Sequence, residues 1–116
     1  MRSTVEQYLA LVANGTAEQI AELYADDAVL EDPVGNDPHV GKDAILAFYK
    51  VIEPIERSTQ LSLRASGDTA VFEFRIVTVF GDLTIELSPV DIMVFDKNGR
   101  IASMRAVWSP DDMIKR

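Results

Sequence analysis

The chain contains no cysteine, which removes disulfide frameworks, thiol nucleophiles and zinc–thiolate sites from consideration. Positive charge is scarce: eleven Lys and Arg stand against nineteen Asp and Glu, a formal net charge of −8. That balance opposes nucleic acid and anionic membranes, whose binding needs basic patches. No apolar run approaches the roughly 20 residues that span a bilayer. The opening residues MRSTVEQY reach Glu6 before any long apolar stretch and do not read as a signal peptide. There is one histidine, His39, and there are no repeats or low-complexity tracts. A soluble, cytoplasmic protein is expected. Hydrophobic residues make up 47% of the 116, so the chain is globular, and its length suits one domain over 1–116. So short a domain buries only about two-thirds of its unfolded surface. A large cavity would tax its stability, and dimerisation is a plausible remedy.

The first half reads helical. Ser3 and Glu6 form a capping-box pattern, and Val5, Tyr8, Leu9 and Val12 share one helical face. Asn14-Gly15 ends that helix, and Thr16 with Gln19 opens a second running to about Tyr24. A short strand from Ala28 to Asp32 is stopped by Pro33. A loop marked by Gly35 and Pro38 leads to a third helix, Lys42 to about Ile52, with Ile45, Phe48, Tyr49 and Ile52 on one face and Pro54 preventing continuation. The second half reads as a β-meander of four runs, Thr59–Ala65, Ala70–Phe80, Leu83–Phe95 and Arg100–Trp108. Turns at Ser66-Gly67-Asp68, Gly81-Asp82 and Asn98-Gly99 separate them. Three helices followed by a long, bent sheet give the α+β class, with the sheet curled into a cone that has one open mouth.

Strand alternation singles out one acid. In the run Leu83–Phe95, Ile85, Leu87, Pro89, Asp91, Met93 and Phe95 share a face. If that face points inward, desolvation favours the neutral carboxylic acid and raises its pKa; a register one residue off leaves Asp91 solvated. Tyr8 lies in the apolar stripe of the first helix, where its hydroxyl needs a partner. Asp32 sits where a strand opens into a loop, either facing a cavity mouth or serving ordinary Asp-Pro turn chemistry.

The segment YLALVANGTAEQIAELYADDAVLEDPVGNDPHVG, the triplet Ala47-Phe48-Tyr49 and the stretch SPVDIMVFDKNGRIASMRAVWS resemble bacterial Δ5-3-ketosteroid isomerases over nearly the whole chain. The ADDA portion is shared with the wider superfamily shaped like nuclear transport factor 2. The resemblance implies that superfamily's fold, a cystatin-like α+β barrel whose curved, mixed or antiparallel sheet packs on three N-terminal helices. It implies Asp32 as general base and Tyr8 and Asp91 as oxyanion donors. A carboxylic acid kept neutral opposite an oxyanion is an established property of these enzymes. Tyr24 and Tyr49 fall where some members extend a hydrogen-bond network behind the donor tyrosine; in plain core terms they only fill space. The implied substrate is an apolar 3-oxo-Δ5-steroid, with no cofactor and no metal.

Strand alternation offers Phe74, Ile76, Leu87, Met104, Ala106 and Trp108 as cavity wall, with Phe48 beside Asp32. Val90, Ile92 and Val94 form an outward apolar stripe, read as a homodimer surface or as a face covered by a helix. His39 is placed in a surface loop, Asp26 and Asp27 cap a turn, Asp111-Asp112 belong to a solvated tail, and Arg75 faces away from Phe74. Rival readings are a cyclase, dehydratase or epoxide hydrolase of the same fold, a non-catalytic carrier of apolar ligands, and a protein-interaction module.

Overall fold

A computed structural model describes residues 1–52, 55 and 57–116. Helix α1 (Arg2–Asn14) begins before the expected capping box. Met1 occupies the cap position, so Ser3 lies inside the first turn and makes no capping hydrogen bond. The apolar stripe is as expected: Val5, Tyr8 and Leu9 are buried, and Val12 is half-buried against the core. Gly15 ends the helix in extended rather than left-handed backbone. A side chain there would meet Leu11 Cδ2 at 2.6 Å, so close packing explains the glycine.

Helix α2 (Ala17–Ala21) carries the capping box read from Thr16 and Gln19 but ends three residues sooner than expected. Strand β1 (Tyr24–Glu31) takes over because Tyr24 already pairs with Ile101 in a parallel ladder. Asp26 and Asp27 therefore do not cap a turn. They are exposed residues of β1, where the register shifts between Tyr24 and Val29, and Asp26 lies 3.5 Å from Lys42. Strand β2 (His39–Val40) pairs back onto β1, a two-residue element too short for alternation to reveal. Helix α3 (Lys42–Val51) buries Ile45 and Tyr49, with Phe48 half-buried beside them. The stop assigned to Pro54 lies outside the described residues.

The sheet continues with β3 (Arg57–Ser66), β4 (Thr69–Phe80), β5 (Leu83–Leu87), β6 (Val90–Phe95) and β7 (Ile101–Val107). The turns at Gly67, Gly81 and Gly99 fall between strands as expected. The run Leu83–Phe95 is two strands, broken at Ser88-Pro89, because Pro89 has no N–H to donate to a ladder. The break lets twelve-residue β4 pair β6 through residues 69–73 and β5 through 76–80, so the sheet bends between these halves. The chain end is not a free tail. Asp111 and Asp112 are exposed but sit in a 3₁₀ turn (Pro110–Asp112), and β8 (Ile114–Lys115) pairs with β5.

Strand order is β2-β1-β7-β6-β4-β5-β8, with β3 on the other edge of β4. The parallel β1–β7 pair makes the sheet mixed. Its concave face packs on the helices: Val5, Tyr8, Ile45 and Tyr49 join Phe72, Met93 and Met104 in one core. Among the described residues no helix is long and apolar enough to cross a membrane.

Candidate active site

Three strands set the site by register. On β6, Asp91 pairs with Phe72 of β4 on one side and Ala106 of β7 on the other. On β1, Glu31 is level with Arg105 of β7, so the next residue, Asp32, reaches the level of Ala106. Alternation makes Ala28, Leu30 and Asp32 one inward row. Asp91 and Asp32 thus lie in one row across the sheet, two strand spacings or about 10 Å apart at the backbone. Ala106, between them, is small enough to leave room above it.

Both acids line a cavity of about 660 Å³ that also touches Tyr8, Tyr49, Phe48 and Trp108. Asp91 is 1% exposed and, apart from the tyrosines, is the one polar or charged residue in the buried class among the described residues. Neither carboxyl oxygen has a hydrogen-bond partner among protein groups. Burial, and secondly the negative charge of Asp32, push its pKa well above the usual carboxylate range. Asp32 is also raised by burial, but less freely. The indole Nε1–H of Trp108 donates to its Oδ1 at 2.8 Å, and His39 adds a further lowering influence.

Tyr8 is buried, packed edge-on against Tyr49, Phe72 and Phe74 at 6.2–6.4 Å between centroids. Its hydroxyl lies 3.1 Å from that of Tyr49, which lies 2.7 Å from that of Tyr24. The three tyrosines therefore form one buried chain, and burial raises the pKa of each well above the ordinary phenol value. Hydrogen bonding from Tyr49 works against that rise at Tyr8, and Tyr24 does the same at Tyr49.

Of the wall residues read from the sequence, Phe48, Phe74, Ile76, Leu87, Ala106 and Trp108 line the cavity. Met104 does not: it is fully buried in the core, beside Leu30 and Met93 in the ladders. Strand alternation chose the correct face of β7 there, but that part of the face is covered by packed side chains rather than by cavity. His39 is on β2 rather than in a loop, half-buried, with its ring 4.8 Å from that of Phe48. It does not line the cavity. Arg75 is exposed, as expected, 3.7 Å from Glu86.

Sequence reasoning missed Thr78, Phe80, Ile85 and Met113 as lining residues. The first three carried a signal, since they continue the alternate rows of Phe74, Ile76 and Leu87. Met113 carried none, because only the fold-back of β8 brings it over the cavity. Among the described residues there is no group of three or more His, Asp or Glu side chains able to hold a metal ion.

A family profile described as "SnoaL-like domain" matches residues 5–104. The chain belongs to the SnoaL-like family. Its fold is that of the superfamily shaped like nuclear transport factor 2, as the sequence resemblance implied, with an unclosed curved sheet and three helices. The chain is 45% identical over 115 residues to a protein named Steroid Delta-isomerase from Nocardioides simplex, covering 98% of this chain and 94% of that one. A solved structure of SalBIII, an epoxide hydrolase/cyclase-like enzyme of pyran ring formation in the polyether salinomycin, superimposes with a TM-score of 0.87. It is 23% identical and covers 97% of this chain and 92% of its own, a likeness of fold. This SnoaL-like domain thus holds an apolar cavity with two carboxyl groups and a tyrosine chain at one end.

The buried carboxyl has a thermodynamic signature. Because the folded pKa of Asp91 is raised, its contribution is most favourable below the unfolded value of about 3.9 and is lost as pH rises above it, by up to ~1.4 kcal/mol per pH unit. Replacing an orphaned carboxyl with an apolar group of similar size also removes a desolvation cost of about 1–3 kcal/mol. Asp91→Leu should therefore be more stable than the parent in urea unfolding at pH 7, by a margin that widens between pH 4 and pH 7. Equal stability, or a margin independent of pH, would contradict the placement of Asp91.

Proposed function

We propose that the chain is a Δ5-3-ketosteroid isomerase, moving a C=C double bond into conjugation with a 3-ketone. The observation that carries this reading is that Asp91, buried and without a hydrogen-bond partner, and Tyr8 line one apolar-walled cavity that holds a second carboxyl group in the same sheet row. The similarity to a relative named Steroid Delta-isomerase supports it.

The chemistry assigns each group one task. Carbon 4 of the steroid, flanked by the ketone and the C5–C6 double bond, loses a proton to ionised Asp32. The electron pair of that C–H bond forms the dienolate and leaves negative charge on the 3-oxygen. Tyr8 and protonated Asp91 each donate a hydrogen bond to that oxygen, and these bonds strengthen as its charge develops. Asp32 then returns the proton to carbon 6. The double bond now lies between carbons 4 and 5, and the net change is redox-neutral. Asp32 must be ionised in the resting enzyme but basic enough to take a carbon-bound proton. Burial raises its basicity, while Trp108 and His39 check that rise.

The mechanism has Tyr24 donate to Tyr49 and Tyr49 to Tyr8, an orientation that both hydroxyl–hydroxyl contacts allow and that leaves the Tyr8 proton free for the ligand. A carrier of apolar molecules would gain nothing from an unpartnered buried acid. Among the described lining residues there is no Arg or His for the hydrolase and cyclase alternatives.

We infer too that the protein is a homodimer. Val90, Ile92 and Val94 are half-buried on the convex face, beside Val71 and Val107 at 38% and 49% exposure. The helices occupy the other face, so a second copy is the proposed cover. Ile92→Asp should convert a sedimenting dimer to monomer; a monomeric parent protein would contradict the assignment.

The activity itself is read by the ultraviolet rise of the conjugated enone from androst-5-ene-3,17-dione. Asp32→Asn should abolish conversion, and Asp91→Ala should slow it about 10²–10³-fold. Asp91→Asn, which keeps a donor, should fall between the parent and Asp91→Ala. A parent protein no faster than buffer would end the isomerase reading.

A further inference from the structure

The cavity has two unlike ends. Tyr8, Tyr49, Asp91, Asp32 and Trp108 place the polar atoms at the inner one. The inward row of β4 runs outward from there: Phe72, level with Asp91, is followed by Phe74, Ile76, Thr78 and Phe80, with Leu87 and Ile85 of β5 level with Ile76 and Thr78. Phe72 itself is sealed in the core, so the cavity wall begins at Phe74. Six steps of about 3.4 Å from Phe74 to Phe80 give a row of up to about 20 Å.

A steroid nucleus is much shorter. With carbon–carbon bonds of about 1.5 Å, it measures roughly 11 Å from its 3-oxygen to the far five-membered ring. Seated with that oxygen at Tyr8 and Asp91, the nucleus leaves the outer part of the row uncovered. In that part of the β4–β5 wall Thr78 is polar, while Phe80, Ile85 and the nearby Met113 are apolar; Asn36, on the loop after Asp32, is a further polar lining residue. Phe80 is 41% exposed and its ladder partner Leu83 is 40% exposed, both on the β4–β5 hairpin.

The outer end is also built rather than frayed. Thr84 and Arg116 exchange two backbone hydrogen bonds of 2.8 Å, and the Arg116 guanidinium lies 3.0 Å from Glu86. These contacts anchor the chain end that carries Met113 to the cavity wall. Apolar surface exposed inside a cleft is unfavourable until a ligand covers it, and the apolar wall extends past the nucleus.

We infer that the substrate carries an apolar side chain on the ring remote from its ketone, held between Phe80 and Met113. This inference rests on the isomerase reading and narrows it to 3-oxo-Δ5-steroids with a long hydrocarbon chain, in preference to compact 17-oxo steroids. Phe80, Ile85 and Met113 are then specificity-determining residues.

The test compares kcat/KM for cholest-5-en-3-one and androst-5-ene-3,17-dione, both delivered in the same cyclodextrin and followed by enone absorbance. The expected result is a preference for the side-chain substrate. Phe80→Ser and Met113→Ser should each lower the ratio of the two kcat/KM values about tenfold, the scale of a few lost apolar contacts. Conversion of the compact substrate alone, or an unchanged ratio in both variants, would overturn the inference while leaving the isomerase reading intact. Conversion of neither substrate would overturn both.

Discussion

The structure turns on a carboxyl group in a place that does not suit a charge. Asp91 sits on a central strand between Phe72 and Ala106, with no protein group to satisfy it. In an apolar wall a neutral acid is tolerable and an anion is costly. That single constraint favours the protonated acid on the cavity wall, the form the proposed mechanism uses as a hydrogen-bond donor. Asp32 in the same row reinforces it, because a second negative charge nearby further disfavours ionisation of Asp91.

The surrounding fold serves that placement. The break at Pro89 separates β5 from β6 and lets long β4 serve both, which bends the sheet and opens the cavity. The parallel pairing of β1 with β7 brings the ends of both strands together, so Asp32 meets the indole of Trp108. Helix α1 contributes Tyr8, while α3 and the start of β1 contribute Tyr49 and Tyr24. The two carboxyl groups thus share a cavity but differ in environment: Asp32 accepts a hydrogen bond, whereas Asp91 has none to accept. The proposed division into base and donor follows from that difference.

Much of this was legible because it depends on period. The face carrying Ile85, Leu87, Pro89 and Asp91 is the cavity face even though the run is two strands, since the alternation carries across the break. The α1 stripe and the Thr16–Gln19 cap were readable for the same local reason. What failed depended on partners distant in sequence. Tyr24 to Asp27 reads as helix end and turn, but pairing with β7 draws Tyr24 into a strand. His39 looked like a loop residue because β2 exists only through its ladder with β1. Met104 lies on the correct face of β7, but only three-dimensional packing separates core from cavity along a strand. Met113 could not be found at all without the fold-back of the chain end. Ser3 failed differently: the helix starts two residues too early for its hydroxyl to act as cap.

The central claim is that Asp91 is held as a neutral acid in the folded protein. Carbon-13 NMR of the aspartate side-chain carboxyls, assigned by comparison with Asp91→Asn and followed across pH, reads this directly. The account predicts that the Asp91 resonance keeps the shift of a protonated carboxyl through neutral pH. Titration of that resonance in the ordinary carboxylate range, near pH 4, would contradict it.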